Sequence, residues 1–225
     1  MNIDNKVTID VVSDVVCPWC FLGAKRLQSA LAALPDLDVE VRWRPFQLDP
    51  TIPPEGKERK AYMLAKFNDE NRLKQAHSTL VSLGAVEGIS FDFEAITVAP
   101  NTLDAHRVIR WAAASGDGVQ GKLVSALFSY YFEQGKNIGD HAVLIEAARE
   151  AGMDAAVVEA LLPTDTDRPE VSNEIVTASR MGITGVPCFL LDGKYAVMGA
   201  QETATLVDAI RQVAAEIGAD EPTLN

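Results

Sequence analysis

The residues with the clearest potential for chemistry are two cysteines in the segment Cys17-Pro18-Trp19-Cys20. Pro18 favours the first turn of a helix, because its missing N–H would have no partner there. Unpaired N–H groups and the positive end of the helix dipole would then stabilise a thiolate at Cys17. Cys20 would lie one turn further on, close enough to form a disulfide with Cys17. The spacing predicts an exposed nucleophile at Cys17 and a resolving thiol at Cys20.

The alternative chemistry for such a pair is half of a zinc site. Zinc in proteins usually has four ligands, commonly including a second pair nearby. The other cysteine and histidine residues are Cys188, His77, His106 and His141, which are scattered along the chain. We therefore expect no metal ion. A total of three cysteines in a chain of 225 residues also argues against a disulfide scaffold.

The hydrophobic pattern predicts the strands and the helix on either side of the two cysteines. Residues 7–12 are mostly β-branched and predict a buried strand directly before the cysteines. Leu27, Leu31 and Leu34 recur at helical spacing after the pair, and residues 39–46 alternate as a second strand does.

The rest of the chain predicts a block of helices and then a hairpin. Asp192-Gly193 is a strong hairpin turn between predicted strands at residues 185–191 and 195–198. The charged residues from 57 to 74 are expected to face solvent. Helices are predicted at residues 61–83, 102–114, 119–133, 140–151, 155–161, 170–181 and 202–217. This order indicates an α/β protein with a small mixed sheet covered by helices.

Composition excludes several classes of protein. Hydrophobic residues make up 48% of the chain, which is typical of a globular protein and not of a disordered one. The net charge of −12 disfavours binding to nucleic acid or to an anionic membrane. No apolar run approaches the roughly 20 residues of a membrane span, and the first residues lack the pattern of a secretory signal. We therefore expect a cytoplasmic protein.

The dipeptide Val186-Pro187 stands before the predicted strand of the hairpin. An X-Pro bond in such a position is a candidate cis peptide. The bend would leave neighbouring backbone N–H and C=O groups free to bind an extended ligand.

Taken together, these segments resemble the DsbA family of the thioredoxin superfamily, and more narrowly the FrnE-like DsbA oxidoreductases. The resemblance covers nearly the whole chain. The matching segments are residues 13–20 (Ser-Asp-Val-Val-Cys-Pro-Trp-Cys), 101–107 (Asn-Thr-Leu-Asp-Ala-His-Arg), 131–133, 138–140 and 182–187 (Gly-Ile-Thr-Gly-Val-Pro).

The resemblance implies a thioredoxin-like α/β fold with a large all-helical insertion domain. Residues 1–52 and 176–225 would form a discontinuous thioredoxin-like domain, and residues 53–175 the insertion. It implies that Cys17 and Cys20 are catalytic and that a cis Pro187 faces them. The residues expected to bind substrate are Pro18, Trp19, Val186 and Pro187.

Four further residues are candidates for the site, each with a structural alternative. Asp14 either accepts a proton near the cysteines or is a turn or N-cap acid. Asn101 and His106 either line the groove that faces Cys17 or serve as an N-cap and an ordinary helix residue. Cys188 departs from the family, which usually has an aromatic or small residue after the proline. It is either a third redox thiol or, as we favour, a buried strand residue.

The favoured function is a thiol–disulfide oxidoreductase of the reductase or isomerase type. Its partners would be protein or small-molecule thiols and disulfides, with glutathione as a candidate thiol and no other cofactor required. Neither a monomer nor a dimer is favoured. The same branch of the superfamily contains 2-hydroxychromene-2-carboxylate isomerases and kappa-class glutathione transferases, which typically carry serine where this chain has Cys17. A binding module without catalysis is the third hypothesis, and the intact cysteine pair argues against it.

Overall fold

The computed structural model describes residues 6–219 as strands and helices in an α/β arrangement. Strands from the two ends of the chain form a four-stranded mixed sheet, and most of the helices come from the sequence between those strands. In chain order the elements are β1 (Val7–Ser13), α1 (Pro18–Ala32), β2 (Val39–Pro45), β3 (Lys57–Glu58), α2 (Arg59–Phe67), α3 (Glu70–Val86), β4 (Val98–Ala99), α4 (Leu103–Ala112), α5 (Val119–Phe132), α6 (His141–Ala151), α7 (Ala155–Leu161), α8 (Arg168–Arg180), β5 (Cys188–Leu191), β6 (Tyr195–Met198) and α9 (Thr203–Ala219).

The main sheet has the strand order β2-β1-β5-β6. Strands β1 and β2 are parallel, and α1 is the crossover that a parallel pair requires. Strand β5 pairs antiparallel with β1, where Val12 lies opposite Cys188, and β6 returns along β5. The predicted order of strand, helix, strand, helical block, hairpin and helix is confirmed.

Helix α1 belongs to two hydrophobic cores. Its later residues Leu27 and Ala30 pack with the inward side chains of β1 and with α9. Its first turns, including Phe21 and Leu22, pack instead with α4, α5 and α6. The segment that carries the cysteines therefore lies at the junction of the sheet with the inserted helices.

The inserted region differs from the sequence prediction in two places. The single helix predicted at residues 61–83 is wrong: α2 ends where Asn68 adopts a left-handed φ of 54°, and the side chain of Asp69 then caps α3. A short ladder, β3 with β4, pairs Lys57 with Ala99 and was not predicted. Within residues 6–219, no helix is both long and apolar enough to cross a membrane.

Arg107, in α4, anchors the chain between α7 and α8. Its side chain is fully buried, and its guanidinium donates five hydrogen bonds. One goes to Asp104 Oδ1 at 2.9 Å, and the others go to backbone carbonyls of residues 161, 162, 164 and 166. These five bonds require the planar guanidinium with its five N–H donors, which lysine does not have.

We expect Arg107→Lys to lower the free energy of unfolding by about 3 kcal/mol, because a fully buried side chain loses most of its hydrogen bonds to these carbonyls. Urea denaturation of the purified protein measures this change. The matched control is Arg110→Lys on the same helix, whose ion pairs with Asp167 and Glu174 are exposed to solvent. Arg110→Lys should lower the free energy of unfolding by less than about 1 kcal/mol. Equal losses in the two variants would contradict the anchoring role.

Candidate active site

Cys17 occupies the N-cap of α1. Its backbone is extended, with φ −93° and ψ 113°, and Pro18 takes the first helical position as predicted. The N–H groups of Cys20 and Phe21 donate to the Cys17 carbonyl, and the first turn contains no acidic residue. Both thiols of the pair are free. This position places the Cys17 sulfur at the positive end of the helix dipole.

Cys17 is not the exposed residue that the sequence predicted. Its exposed fraction is 4%, because its side chain packs into the core shared with the inserted helices. Its thiol donates a long hydrogen bond to the Val186 carbonyl, with 3.7 Å between Sγ and O. The peptide bond between Val186 and Pro187 is cis. The predicted cysteine and proline segments are therefore in direct contact.

Cys20 is buried beside Cys17, with an exposed fraction of 1%. Burial raises the pKa of the Cys20 thiol well above its usual value, and the hydrogen bond and charge of Cys17 raise it further. The nearby Ser13 hydroxyl and Asp14 backbone act in the opposite direction and lower the pKa of Cys20, because polar groups of this kind favour the thiolate. At neutral pH Cys20 is therefore held as a protonated thiol.

Asp14 and His106 form a buried pair beside the cysteines. Both side chains are almost fully buried, and Asp14 Oδ1 lies 3.5 Å from His106 Nε2 without hydrogen-bond geometry. The other Asp14 oxygen accepts from the Leu48 N–H at 2.8 Å. Asp14 lines a cavity that opens beside Cys17, whereas His106 does not line it. The N-cap alternative for Asp14 does not hold, because Cys17 takes that position.

The contacts of Asn101 and Cys188 favour a structural role for both residues. Asn101 accepts from the Leu103 N–H at 2.9 Å and donates to the Ile52 carbonyl at 2.6 Å, so its amide serves the start of α4. Cys188 is fully buried in a separate small core with Val12 and Phe46, and burial raises the pKa of its thiol. This environment favours the interpretation of Cys188 as an apolar strand residue.

A cavity of about 290 Å³ opens beside Cys17. One wall comes from residues 16–19 and from Gly185 and Val186, and the opposite wall comes from the inserted helices and the segment before α4. Aromatic side chains form much of the lining: Trp19, Tyr62, Phe67, Phe93, Tyr131 and Phe132. A larger groove of about 600 Å³ lies between α1, β2 and α5, but neither Cys17 nor Cys20 lines it. The smaller cavity is the one relevant to thiol chemistry.

Arg59 is a residue of this cavity that the sequence analysis missed. The charged stretch around it was expected to face solvent, which is wrong for Arg59, whose exposed fraction is 7%. Its backbone N–H donates to the Thr97 carbonyl, and its guanidinium donates to the Phe93 carbonyl at 3.4 Å. The ladder of β3 with β4 brings these distant segments together, and no local pattern signals that pairing.

Among residues 6–219, no group of three histidine, cysteine or acidic residues lies close enough to hold a metal ion.

Comparison with known proteins agrees with this architecture. Residues 8–211 match the DSBA-like thioredoxin domain. The crystal structure of the probable DsbA oxidoreductase SCO1869 from Streptomyces coelicolor superposes with a TM-score of 0.84 and 31% identity, covering 97% of this chain and 93% of that one. The uncharacterized protein YwbO of Bacillus subtilis (strain 168) is 29% identical over 195 residues, which is 86% of this chain and 90% of that protein.

A more distant structure shares the fold alone. A 2-hydroxychromene-2-carboxylate isomerase superposes with a TM-score of 0.68 at 16% identity, over 96% of this chain and all of that one. The domain match, the similarity to the Streptomyces protein and the cysteine pair at the start of α1 lead to one conclusion. This protein belongs to the DSBA-like thioredoxin family, whose members are generally disulfide oxidoreductases.

Proposed function

We propose that the protein is a thiol–disulfide oxidoreductase of the reductase or isomerase type, acting through Cys17 and Cys20. The observation that carries the proposal is the position of Cys17. It caps α1 at the positive end of the helix dipole, has Cys20 one turn behind it, and lines the cavity on its other side.

In the reducing direction, the Cys17 thiolate attacks one sulfur of a substrate disulfide. A bond forms between Cys17 and that sulfur, and the other substrate sulfur leaves as a thiolate. Cys20 then gives its proton to the departing thiolate and attacks Cys17 Sγ, which breaks the mixed disulfide and releases the second thiolate. Two electrons pass from the dithiol to the substrate. Two equivalents of a thiol such as glutathione restore the reduced pair.

The difference between the two cysteines assigns their roles. The raised pKa of Cys20 keeps it protonated while Cys17 attacks, so Cys20 does not compete for the incoming disulfide. Once the mixed disulfide has formed, Cys17 no longer carries a charge that opposes ionisation of Cys20. The resolving attack is intramolecular and gains from proximity.

The substrate would contact the residues around Cys17. Trp19 is 40% exposed at the first turn of α1, and the Val186 carbonyl faces Cys17 from the neighbouring loop. Pro18 and Pro187 would shape the same surface. A reductase of this kind works where small thiols are kept reduced, such as the cytoplasm. Its partners would be protein or small-molecule disulfides.

Replacing Cys20 with serine should trap the mixed disulfide, because no neighbouring thiol remains to release the substrate. We expect Cys20→Ser to form thiol-sensitive adducts and Cys17→Ser to form none, and both to lose insulin reduction. Mass spectrometry and an insulin turbidity assay measure these outcomes. Cys188→Ser, which removes a cysteine outside the cavity, is the matched control and should keep its activity. Disulfide exchange by the Cys17→Ser/Cys20→Ser variant would refute the proposal.

Alkylation should distinguish the three thiols. Cys17 should react with iodoacetamide at least about tenfold faster than Cys20 or Cys188 at neutral pH. Burial keeps the latter two protonated, so their labelling should rise steadily from about pH 7 to about pH 9 as the thiolate fraction grows. Peptide mapping of the reduced protein gives each rate. Faster labelling of Cys20 than of Cys17 would reverse the assignment of nucleophile and resolving thiol.

Removal of the resolving thiol also separates redox exchange from glutathione-dependent isomerisation. An isomerase needs one activated glutathione thiolate and no second cysteine. We expect Cys20→Ala to abolish multiple-turnover disulfide reduction, and the unmodified protein to show little isomerisation of 2-hydroxychromene-2-carboxylate with glutathione. Robust isomerisation that survives Cys20→Ala would assign the site to the other class of reaction.

A further inference from the structure

Within residues 6–219, three arginines are buried: Arg26, Arg59 and Arg107. Arg26 pairs with Glu87 at 2.9 Å and with Glu202 at 2.8 Å, and Arg107 pairs with Asp104. Arg59 forms no such pair with the described carboxylates. A buried charge without a counter-charge is costly, so the surroundings of Arg59 are suited to receive an anion.

The partners that Arg59 does have are neutral. Its guanidinium donates to the Phe93 carbonyl and lies 5.8 Å from the centre of that ring. The Tyr131 side chain lies nearby; its hydroxyl donates to the Val98 carbonyl at 3.2 Å, and burial raises its pKa to about 12. A guanidinium has five N–H donors, and these contacts leave part of that capacity for a ligand.

Neither of the two acidic residues that line the same cavity forms an ion pair with Arg59. Asp14 accepts from the Leu48 N–H and faces His106. Asp49 accepts from the backbone N–H and the hydroxyl of Thr51, at 2.9 and 2.5 Å, and from Tyr62. Lys66 also lines the cavity, but it is exposed to solvent and lies over the Tyr62 ring. Arg59 is therefore the buried cation of this lining and the group best placed to bind a negative charge.

The remaining lining and the volume limit what the anion is attached to. Rings from Tyr62, Phe67, Phe93 and Phe132 and the side chain of Met63 surround the space. About 290 Å³ is at the small end of the range for ligand pockets, which is suited to a compact molecule or a single side chain. Cys17 lines the same cavity, so a molecule bound to Arg59 lies beside the nucleophile.

We propose that the cavity binds small disulfides that carry a carboxylate on an aromatic or otherwise apolar body, with the carboxylate on Arg59. This inference rests on the proposed thiol–disulfide exchange and names its substrate class. Cys17 attacks the disulfide and retains the half held by Arg59, while the other half leaves as a thiolate. Cys20 then releases the retained half as a second thiolate. The two electrons come from the Cys17/Cys20 dithiol, and two equivalents of a small thiol then reduce the resulting Cys17–Cys20 disulfide.

Two aromatic disulfides of opposite character test the proposal. The probes are 5,5′-dithiobis(2-nitrobenzoate), which carries carboxylates, and 4,4′-dithiodipyridine, which is neutral. We expect Arg59→Gln to slow single-turnover reduction of the carboxylate probe at least about tenfold, as loss of a charged hydrogen bond predicts. The neutral probe should change less than about twofold, and this rate also reports a folded site with a reactive Cys17.

Two variants control for charge. Lys60→Gln removes the same charge from the next residue of α2, which is exposed and outside the cavity lining, and should leave both rates nearly unchanged. Arg59→Lys keeps the positive charge but lacks the planar guanidinium, so it should retain part of the preference for the carboxylate probe over the neutral probe. Equal slowing of both probes by Arg59→Gln, or equal loss of selectivity in Lys60→Gln, would overturn the anion site.

A binding measurement separates failure of the site from failure of the proposed function. In the Cys17→Ser/Cys20→Ser variant, which has no redox pair, 4-nitrobenzoate should bind more tightly than neutral 4-nitrobenzamide, and Arg59→Gln should remove the difference. Calorimetry measures both affinities. Preference for the carboxylate in this variant, together with no disulfide reduction by the unmodified protein, would support the anion site and refute the redox function. Equal affinities in this variant, together with reduction of both disulfides by the unmodified protein, would refute the anion site alone.

Discussion

The packing of α1 into two hydrophobic cores is the constraint on which the site depends. Leu27 and Ala30 fix the helix against the sheet and α9, while Phe21 stacks on Phe128 with 5.1 Å between ring centres and contacts Phe91 edge-on. A helix held on both sides has little freedom to shift. Its N-terminus, and with it Cys17, is therefore held at the boundary of the sheet and the inserted helices.

That boundary explains why two cysteines so close together differ. The same packing that fixes α1 buries Cys20 away from solvent and raises the pKa of its thiol. Cys17, in contrast, lies at the N-cap of α1 and lines the cavity. Ser13 at the end of β1 and the backbone of Asp14 just after it partly offset this rise in the pKa of Cys20. The end of a strand and the start of a helix thus provide both the reactive group and the groups that adjust its partner.

The two regions contribute different parts of the candidate site. The β1–α1 junction and the Val186-Pro187 segment supply the thiols and the backbone around them. The inserted region supplies the opposite wall, with its aromatic rings and the buried guanidinium of Arg59. In this arrangement, changes in the inserted region would alter which molecules reach Cys17 without altering the thiol chemistry. The proposed preference for apolar carboxylates follows from that wall.

The sequence by itself determined the features that depend on near neighbours in the chain. The strand before Cys17, the helix starting at Pro18 and the hairpin at Asp192-Gly193 all rest on preferences that act within a few residues. The family resemblance rests on short motifs of the same kind and on their order along the chain. Even locally, the pattern missed the break between α2 and α3, because Asn68 and Asp69 interrupt the backbone without interrupting the periodicity. The burial of Cys17, the cavity and the inward position of Arg59 were decided only by the tertiary structure. They depend on contacts between distant segments, such as Lys57 with Ala99 and Cys17 with Val186, and long-range contacts of this kind leave no local pattern.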